Sequence, residues 1–178
     1  MGNDKLNITV VSNSGPLIHL AQTGMFHLLD IFSNIYIPRK VYEEVCIEGM
    51  PGCSEVKDAG NIKVLLVSDA ETGVIKSKIT GKLHEGELHA LALSSKLNKI
   101  FLTDDMGARC AAERLNIEVH GSVGVVVLAY HRNLIDIKQA EKTLNDLYDV
   151  SSLFVTRAIV DIVIAEIRNI EKTKNPDY

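Results

Sequence analysis

Residues 8–16 read ITVVSNSGP, a run of β-branched residues that stops at a cluster of turn formers. Because β-branched side chains pack well in a pleated sheet, the first half of this stretch predicts a buried strand. Ser14 suits the N-cap of a helix and Pro16 suits its first turn, so we expect a helix directly after the strand. This junction between strand and helix begins a pattern that continues along the chain.

Strands and helices alternate in the remaining sequence. Short apolar runs predict further strands at residues 35–37, 62–67, 99–102 and 117–119. Apolar residues at helical spacing predict helices after Ser14, after Pro38 and after Asp105, and over residues 54–60, 84–97, 121–130, 137–147 and 154–171. Residues 68–82 are polar and fit neither pattern. The alternation predicts an α/β fold with three layers, α/β/α, around a short parallel sheet with right-handed crossovers.

The bulk composition is that of one ordinary globular domain. The chain has 178 residues, of which 46% are hydrophobic and 24% are charged. We expect a single domain over residues 1–178, with the motif-bearing part at about 8–153. The net charge of −4 argues against a basic nucleic-acid coat protein. It still allows an enzyme that acts on nucleic acid, because metal ions neutralise phosphate locally.

The cysteines and the apolar segments bear on the compartment. Cys46, Cys53 and Cys110 are odd in number and lack the C-x-x-C spacing, so they predict neither a zinc site nor a disulfide framework. The beginning of the chain has no basic region followed by an apolar run, as a signal peptide would. The apolar stretch at residues 158–165 contains Asp161 and is too short to span a bilayer. We therefore expect a cytoplasmic protein that does not associate with membranes.

Two of the predicted strands end in polar clusters. Residues 12–14 read SNS after the first strand, and residues 103–105 read TDD after the fourth. In open parallel sheets, functional sites form at the carboxyl ends of the strands. If these two strands are neighbours, Asn13, Asp104 and Asp105 meet at one edge of the sheet.

Two acidic residues on predicted helices can reach the same edge. Glu44 follows the second strand, and Glu87 lies in the first turn of its helix. Mg²⁺ prefers oxygen ligands and is held by carboxylates that come from separate elements. The pattern therefore predicts a divalent-metal site suited to phosphodiester hydrolysis, with Glu44, Glu87, Asp104 and Asp105 as ligands.

Each of these residues has a structural alternative. Asp104 and Asp105 also fit a strand-end turn and a helix N-cap. Glu87 also fits a first-turn acid that favours the helix dipole. For Glu44, in a helix rich in glutamate, a solvated position is the more common explanation, and Asn13 is equally suited to a turn. These alternatives stay open on the sequence alone.

Further polar residues near the predicted site are less specific. Arg109 either contacts phosphate or lies on a helix surface, and the second case is the more common. His84 and His89 are five positions apart, which favours surface histidines over a pair of metal ligands. Cys110 lies among alanines and is expected in the core.

Five short motifs resemble those of PIN-domain proteins, and the whole is most similar to a prokaryotic PIN-like branch. They occur in the order of that family and span residues 9–153. They read VSNSGPLI at 11–18, IPRKVYEE at 37–44, HEGELHALAL at 84–93, LTDDMGAR at 102–109 and HGSVGVV at 120–126. Each motif is weak alone, and the ordered set is fairly specific.

The resemblance implies a function as well as a PIN-like fold. PIN domains are ribonucleases that depend on Mg²⁺ or Mn²⁺, and many are dimeric toxins of toxin–antitoxin pairs. The resemblance implies that Glu44, Glu87 and Asp105 match acidic residues of the family, with Asp104 beside the last of them. Asn13 stands where the family usually has its first aspartate, and Gly15 replaces a serine or threonine. An amide oxygen brings no charge, so such a site would hold metal more weakly or depend more on Asp104.

The leading hypothesis is endonucleolytic cleavage of RNA with Mg²⁺ or Mn²⁺ as cofactor, in which Asn13 is a catalytic residue that orients a metal-bound water or serves as a neutral ligand. RNA is then the substrate, an antitoxin protein is a candidate partner, and a homodimer is the expected assembly. The first alternative, which Asn13 favours, is a PIN-like module that binds RNA or protein without catalysis. A nucleotide-binding phosphatase is less favoured, because no phosphate-binding glycine motif follows a strand. Apolar faces at residues 17–29 and 154–167 are either core or partner surfaces, and core is favoured.

Overall fold

A five-stranded parallel sheet forms the centre of the protein. The computed structural model describes residues 6–174. The strands lie in the order β3-β2-β1-β4-β5, and every neighbouring pair is parallel. They are β1 (Leu6–Ser12), β2 (Phe32–Pro38), β3 (Ile62–Leu65), β4 (Ile100–Leu102) and β5 (Val119–His120). The predicted three-layer α/β/α fold is confirmed.

Helices connect the strands and cover the sheet. A 3-10 helix (Phe26–Ile31) precedes β2. The α-helices are α1 (Ser14–Gln22), α2 (Arg39–Val45), α3 (Cys53–Asp58), α4 (Asp69–Lys76), α5 (Glu85–Leu97), α6 (Met106–Arg114), α7 (Ser122–His131), α8 (Ile137–Asp149) and α9 (Arg157–Lys174). Within residues 6–174, no helix combines the length and the apolar character needed to cross a membrane.

The central strand explains why the first motif is so apolar. β1 pairs with β2 on one side and with β4 on the other, so both of its faces are covered. Val10 and Val11 are fully buried, as are Phe101 and Leu102 on β4. Leu91 on α5 is buried with them in the same core. The core thus fixes the two strands whose ends carry the polar clusters.

The chain changes direction across the sheet between β1 and β4. The connections from β1 lead through β2 to β3 on one side, and β4 and β5 lie on the other side. Ser12 is paired with Leu102, and the backbone N–H of Asn13 donates to the carbonyl of Leu102 at 3.0 Å. The crevice at such a switch point is where ligands bind in open parallel sheets. The two polar clusters therefore meet at one edge, as expected.

Several local predictions are corrected by the structure. The N-cap of α1 is Asn13 and not Ser14, because the Asn13 backbone is extended and its side chain accepts from the Gly15 N–H. Cys110 is exposed and not in the core, since it lies on the outer side of α6. The unassigned segment at residues 68–82 contains α4, which begins with a capping box of Ser68 and Glu71.

The C-terminal apolar segment differs in part from its prediction. The last helix begins at Arg157, so Phe154 precedes it and is 97% exposed. Val160 and Ile164 are buried on one face of α9, which fits the favoured core explanation. Ile162 lies on the opposite, exposed face. Of the predicted domain, residues 1–5 and 175–178 lie outside the described part of the chain.

Candidate active site

Asn13 joins the ends of β1 and β4 through its side chain. The Asn13 Nδ2 donates to Thr103 Oγ1 at 2.7 Å, and Asn13 Oδ1 accepts from the Gly15 N–H at 3.2 Å. Thr103 Oγ1 also accepts from the backbone N–H of Asp105 at 3.2 Å. Asn13 is only 3% exposed. Both ends of the amide therefore have partners within the fold, and the side chain holds the two strand ends together.

Asp104 is also buried and fully hydrogen-bonded. Its Oδ1 accepts from the backbone N–H of Ser122 at 2.7 Å, and its Oδ2 accepts from the Ser122 hydroxyl at 2.5 Å. The Oδ2 also lies 2.7 Å from Nδ1 of His19. The Asp104 side chain is 7% exposed and that of His19 is 14% exposed. This carboxylate thus ties the end of β4 to α1 and to the start of α7.

Gly121 and Gly15 both lie against Asp104, but they differ in the room that is available for a side chain. A Cβ on Gly121 would lie 2.6 Å from Asp104 Oδ1 and 3.2 Å from Nη2 of Arg109, so this position requires glycine. A Cβ on Gly15 would lie 3.4 Å from the Asp104 Cβ, which is ordinary contact. Space therefore explains Gly121, and it does not explain the absence of a hydroxyl residue at position 15.

Glu87 lies half-buried in the first turn of α5. Its Oε2 accepts from the backbone N–H of His84 at 2.9 Å. Burial raises the pKa of the Glu87 carboxyl above its ordinary value, and the charges of Asp105 and Glu44 raise it further, against the lowering effect of the His84 N–H. Glu44 and Asp105 are therefore each close enough to Glu87 for their charges to repel it.

Glu44 and Asp105 approach Glu87 from two other helices. A Cβ on Gly86 would lie 2.2 Å from Glu44 Oε1, so the exposed Glu44 carboxylate rests on the first turn of α5. Asp105 is exposed and caps α6, with its Oδ1 accepting from the Ala108 N–H at 2.7 Å. We call Glu44, Glu87 and Asp105 the carboxylate trio.

The acidic residues next to the carboxylate trio form ion pairs with basic residues, whereas the trio does not. On α2, Arg39 pairs with Glu43 at 2.9 Å, and Lys40 pairs with Glu85 at 2.9 Å. Within residues 6–174, no member of the carboxylate trio takes part in an ion pair. Lys40 is close enough to Glu44 to attract it, but its ion pair is with Glu85. Carboxylates without an ion pair contribute little to stability and are well placed to attract a cation.

The residues fit a hard divalent cation in chemistry but do not form a ready-made cage. The trio supplies oxygen donors from three separate elements, which suits Mg²⁺ or Mn²⁺. Yet no group of three or more His, Cys, Asp or Glu side chains among residues 6–174 is already arranged to hold a metal ion. Both oxygens of Asp104 have partners in the protein, so it is the least available of the four predicted ligands.

The other residues considered from the sequence have simpler positions. His84 is exposed at the start of α5, and His89 is half-buried further along the same helix. Arg109 is half-buried on α6, with Nη2 3.5 Å from the carbonyl of Thr103. Sequence reasoning missed the roles of His19 and Ser122. Ser122 lies in the HGSVGVV motif, and this motif was the only feature of the sequence that pointed to it. No feature of the sequence pointed to His19.

Two comparisons with known proteins bear on this site. The family whose model matches the chain is described as a PIN domain, and the match covers residues 9–169. No curated protein matches the chain. The matched range includes every residue of the carboxylate trio and of the network around Asp104.

Proposed function

The chain belongs to the PIN-domain family, a nuclease-type fold, and from this premise we propose that it is a ribonuclease that depends on Mg²⁺ or Mn²⁺. The observation that carries the proposal is the carboxylate trio: Glu44 and Asp105 lie close enough to repel the charge of Glu87, and none of the three forms an ion pair within residues 6–174. Such mutual repulsion is relieved by a cation. PIN domains in general use divalent metals.

Glu44, Glu87 and Asp105 would hold the metal in this proposal. When bound, the ion supplies positive charge for the phosphate and makes a water more acidic. The chain itself supplies orientation. Glu87 keeps Oε2 on the His84 N–H and Asp105 keeps Oδ1 on the Ala108 N–H, so each side chain is fixed through one oxygen while the other stays available.

Asp104 and Asn13 act by positioning in this proposal. The Asp104 network fixes the start of α7, and the bond from Asn13 to Thr103 fixes the turn that leads to Asp105. Asp105 is then held where the trio requires it, because its backbone N–H donates to the same Thr103 hydroxyl. Catalysis does not require a carboxylate at position 13 if the trio alone holds the ion.

A second candidate function is a PIN-like module that binds RNA or protein without catalysis. Two observations favour it: the amide at Asn13, and the lack of a preformed metal cage among residues 6–174. The toxin role, an antitoxin partner and a homodimer remain expectations from the family resemblance.

Cleavage of RNA with Mn²⁺ tests the proposal. The purified protein should cleave structured RNAs with Mn²⁺ and not with EDTA, and Glu87→Gln should remove the activity while it keeps the hydrogen bond to His84. The matched control is Glu43→Gln, which replaces an acid of α2 that pairs with Arg39 of the same helix. Equal cleavage by Glu87→Gln would identify a contaminating nuclease.

Calorimetric titration with Mn²⁺ separates the two candidate functions. The ribonuclease should bind the ion, and Glu87→Gln and Asp105→Asn should each weaken binding at least about tenfold. A protein that binds RNA but takes up no Mn²⁺ at millimolar concentration is the binding module.

A further inference from the structure

A cleft of about 370 Å³ lies next to the Asp104 network. Its polar lining includes Asp104, Arg109 and His120, and its apolar lining includes Leu153, Phe154 and Ile159. The cleft is thus bounded by the start of α7 and by the segment that leads into α9. It is separate from the carboxylate trio, none of whose members lines it, and Asp104 borders both regions.

Phe154 is the feature of the cleft that the fold does not explain. It is 97% exposed, the most exposed of the large hydrophobic side chains described. The adjacent backbone is nevertheless ordered by a hydrogen bond from the Val155 N–H to the Leu153 carbonyl, at 3.1 Å. The Phe154 ring lies at the mouth of the cleft with almost all of its surface exposed, so it is available to stack on a flat ligand.

Arg109 is the group of the lining that can contact an anion, since His120 pairs with Glu118 at 2.8 Å. Arg109 takes part in no ion pair within residues 6–174, and its Nη2 makes only a long contact of 3.5 Å with the Thr103 carbonyl. Asp104 is the only acid in the lining, and His19 and Ser122 already occupy its oxygens. The start of α7 is not available in the same way, because the Ser122 N–H already donates to Asp104 Oδ1 at 2.7 Å.

Resting on the proposed function, we propose that this cleft binds one unpaired nucleotide of the RNA substrate. Its base stacks on Phe154, and its phosphate lies near Arg109. The cleft volume lies in the range of small-ligand sites. An apolar peptide would contact Phe154 but would leave Arg109 without a partner, whereas a nucleotide uses both, so the lining favours nucleic acid.

Binding of a short fluorescein-labelled single-stranded RNA, followed by fluorescence anisotropy in EDTA, tests this proposal. Without divalent metal the RNA is not cleaved, so binding is measured alone. Because stacking on an aromatic side chain is worth about 1–3 kcal/mol per base, Phe154→Ala should weaken binding about 5- to 150-fold. Phe154→Trp should restore it. The matched control is Ile162→Ala, an exposed apolar residue of α9 outside the cleft, which should bind as the unaltered protein does.

Arg109→Gln gives an independent measurement in the same assay. It should weaken binding and reduce the slope of log affinity against log salt by about one phosphate contact. The proposal is overturned if Phe154→Ala binds RNA with unchanged affinity, if Ile162→Ala loses as much, or if duplex RNA binds as tightly as the single strand. In the first case the exposed ring belongs to a protein-binding surface.

This test can fail separately from the proposed function. If RNA binds through Phe154 but no preparation cleaves it with Mn²⁺, the nucleotide site stands and the protein is the binding module. If cleavage depends on Glu87 and RNA affinity ignores Phe154, the ribonuclease stands and the nucleotide site is wrong.

Discussion

Asp104 and Asp105 are neighbours in sequence and opposites in environment. Asp104 is buried, with both oxygens bonded to His19 and Ser122. Asp105 is exposed, with one oxygen on the start of α6 and the charges of Glu44 and Glu87 nearby. The first arrangement stabilises the fold and offers little to a ligand. The second leaves a carboxylate without an ion pair among residues 6–174, and in the proposed function it binds the cation, so stability and metal binding are divided between two adjacent carboxylates.

Replacement of Asp105 by asparagine gives the largest expected effect. Asparagine caps a helix as well as aspartate does, so the fold should remain while a charge of the trio is lost. We expect cleavage to fall about 1,000-fold, the equivalent of about 4 kcal/mol of transition-state stabilisation. Single-turnover cleavage of a labelled RNA with Mn²⁺ measures the loss, and the urea midpoint checks the fold. Activity within tenfold of the unaltered protein would mean that Asp105 is only a cap.

Replacement of Asp104 by alanine should act mainly on the stability of the fold, whereas replacement of Asp105 acts mainly on cleavage. It leaves the Ser122 N–H, the Ser122 hydroxyl and His19 without their acceptor in a buried place. We expect the free energy of unfolding to fall by about 3 kcal/mol. Urea unfolding with an unchanged m-value measures it.

The exposed Asp58 provides the control for this stability measurement. Asp58→Ala removes an aspartate at the end of α3 and should change the free energy of unfolding by no more than about 0.5 kcal/mol. If Asp104→Ala is as stable as this control but binds Mn²⁺ much more weakly, then Asp104 is a metal ligand and the contrast between the two aspartates fails.

The sequence was most informative where the chemistry is local. The run of β-branched residues before Asn13 predicts β1, and the turn after it predicts α1, because both follow from spacing and side-chain shape. Glu87 was identified from its place in a first helical turn within a family motif. These predictions rest on short stretches whose conformation is set mainly by their own residues.

Contacts between distant stretches could not be predicted in the same way. His19 and Asp104 are 85 residues apart, and nothing in the spacing of either motif requires them to meet. The choice of Asn13 over Ser14 as the N-cap depends on Thr103, which holds the Asn13 side chain from another strand. The different surroundings of Asp104 and Asp105 could therefore be recognised only in the three-dimensional structure, although both residues were candidates from the sequence.

The smallest expected effect concerns the pH dependence of stability at Glu87. Its folded pKa lies above the ordinary value of 4.5, so the native state keeps the proton to higher pH than the unfolded state does. Stability must then fall as pH rises through the window that begins near 4.5 and ends at the raised value. Glu87→Gln, which cannot ionise, should match the unaltered protein below this window and be more stable above it, by a few tenths of a kcal/mol, about what a half-exposed charge supports after screening by solvent.

A second variant separates the two causes of the raised Glu87 pKa, which are burial and charge repulsion. Glu44→Gln removes one repelling charge but leaves the burial of Glu87, which is the larger cause, so it should narrow the pH window without closing it. Urea unfolding of all three proteins between pH 4 and pH 8, at low salt and without divalent metal, measures the differences. Addition of Mn²⁺ at neutral pH should reverse the order, because only the intact trio gains stability from binding the ion. If Glu87→Gln is less stable than the unaltered protein at neutral pH without metal, then Glu87 stabilises the fold as Asp104 does. The contrast between the carboxylate trio and the Asp104 network would then be wrong.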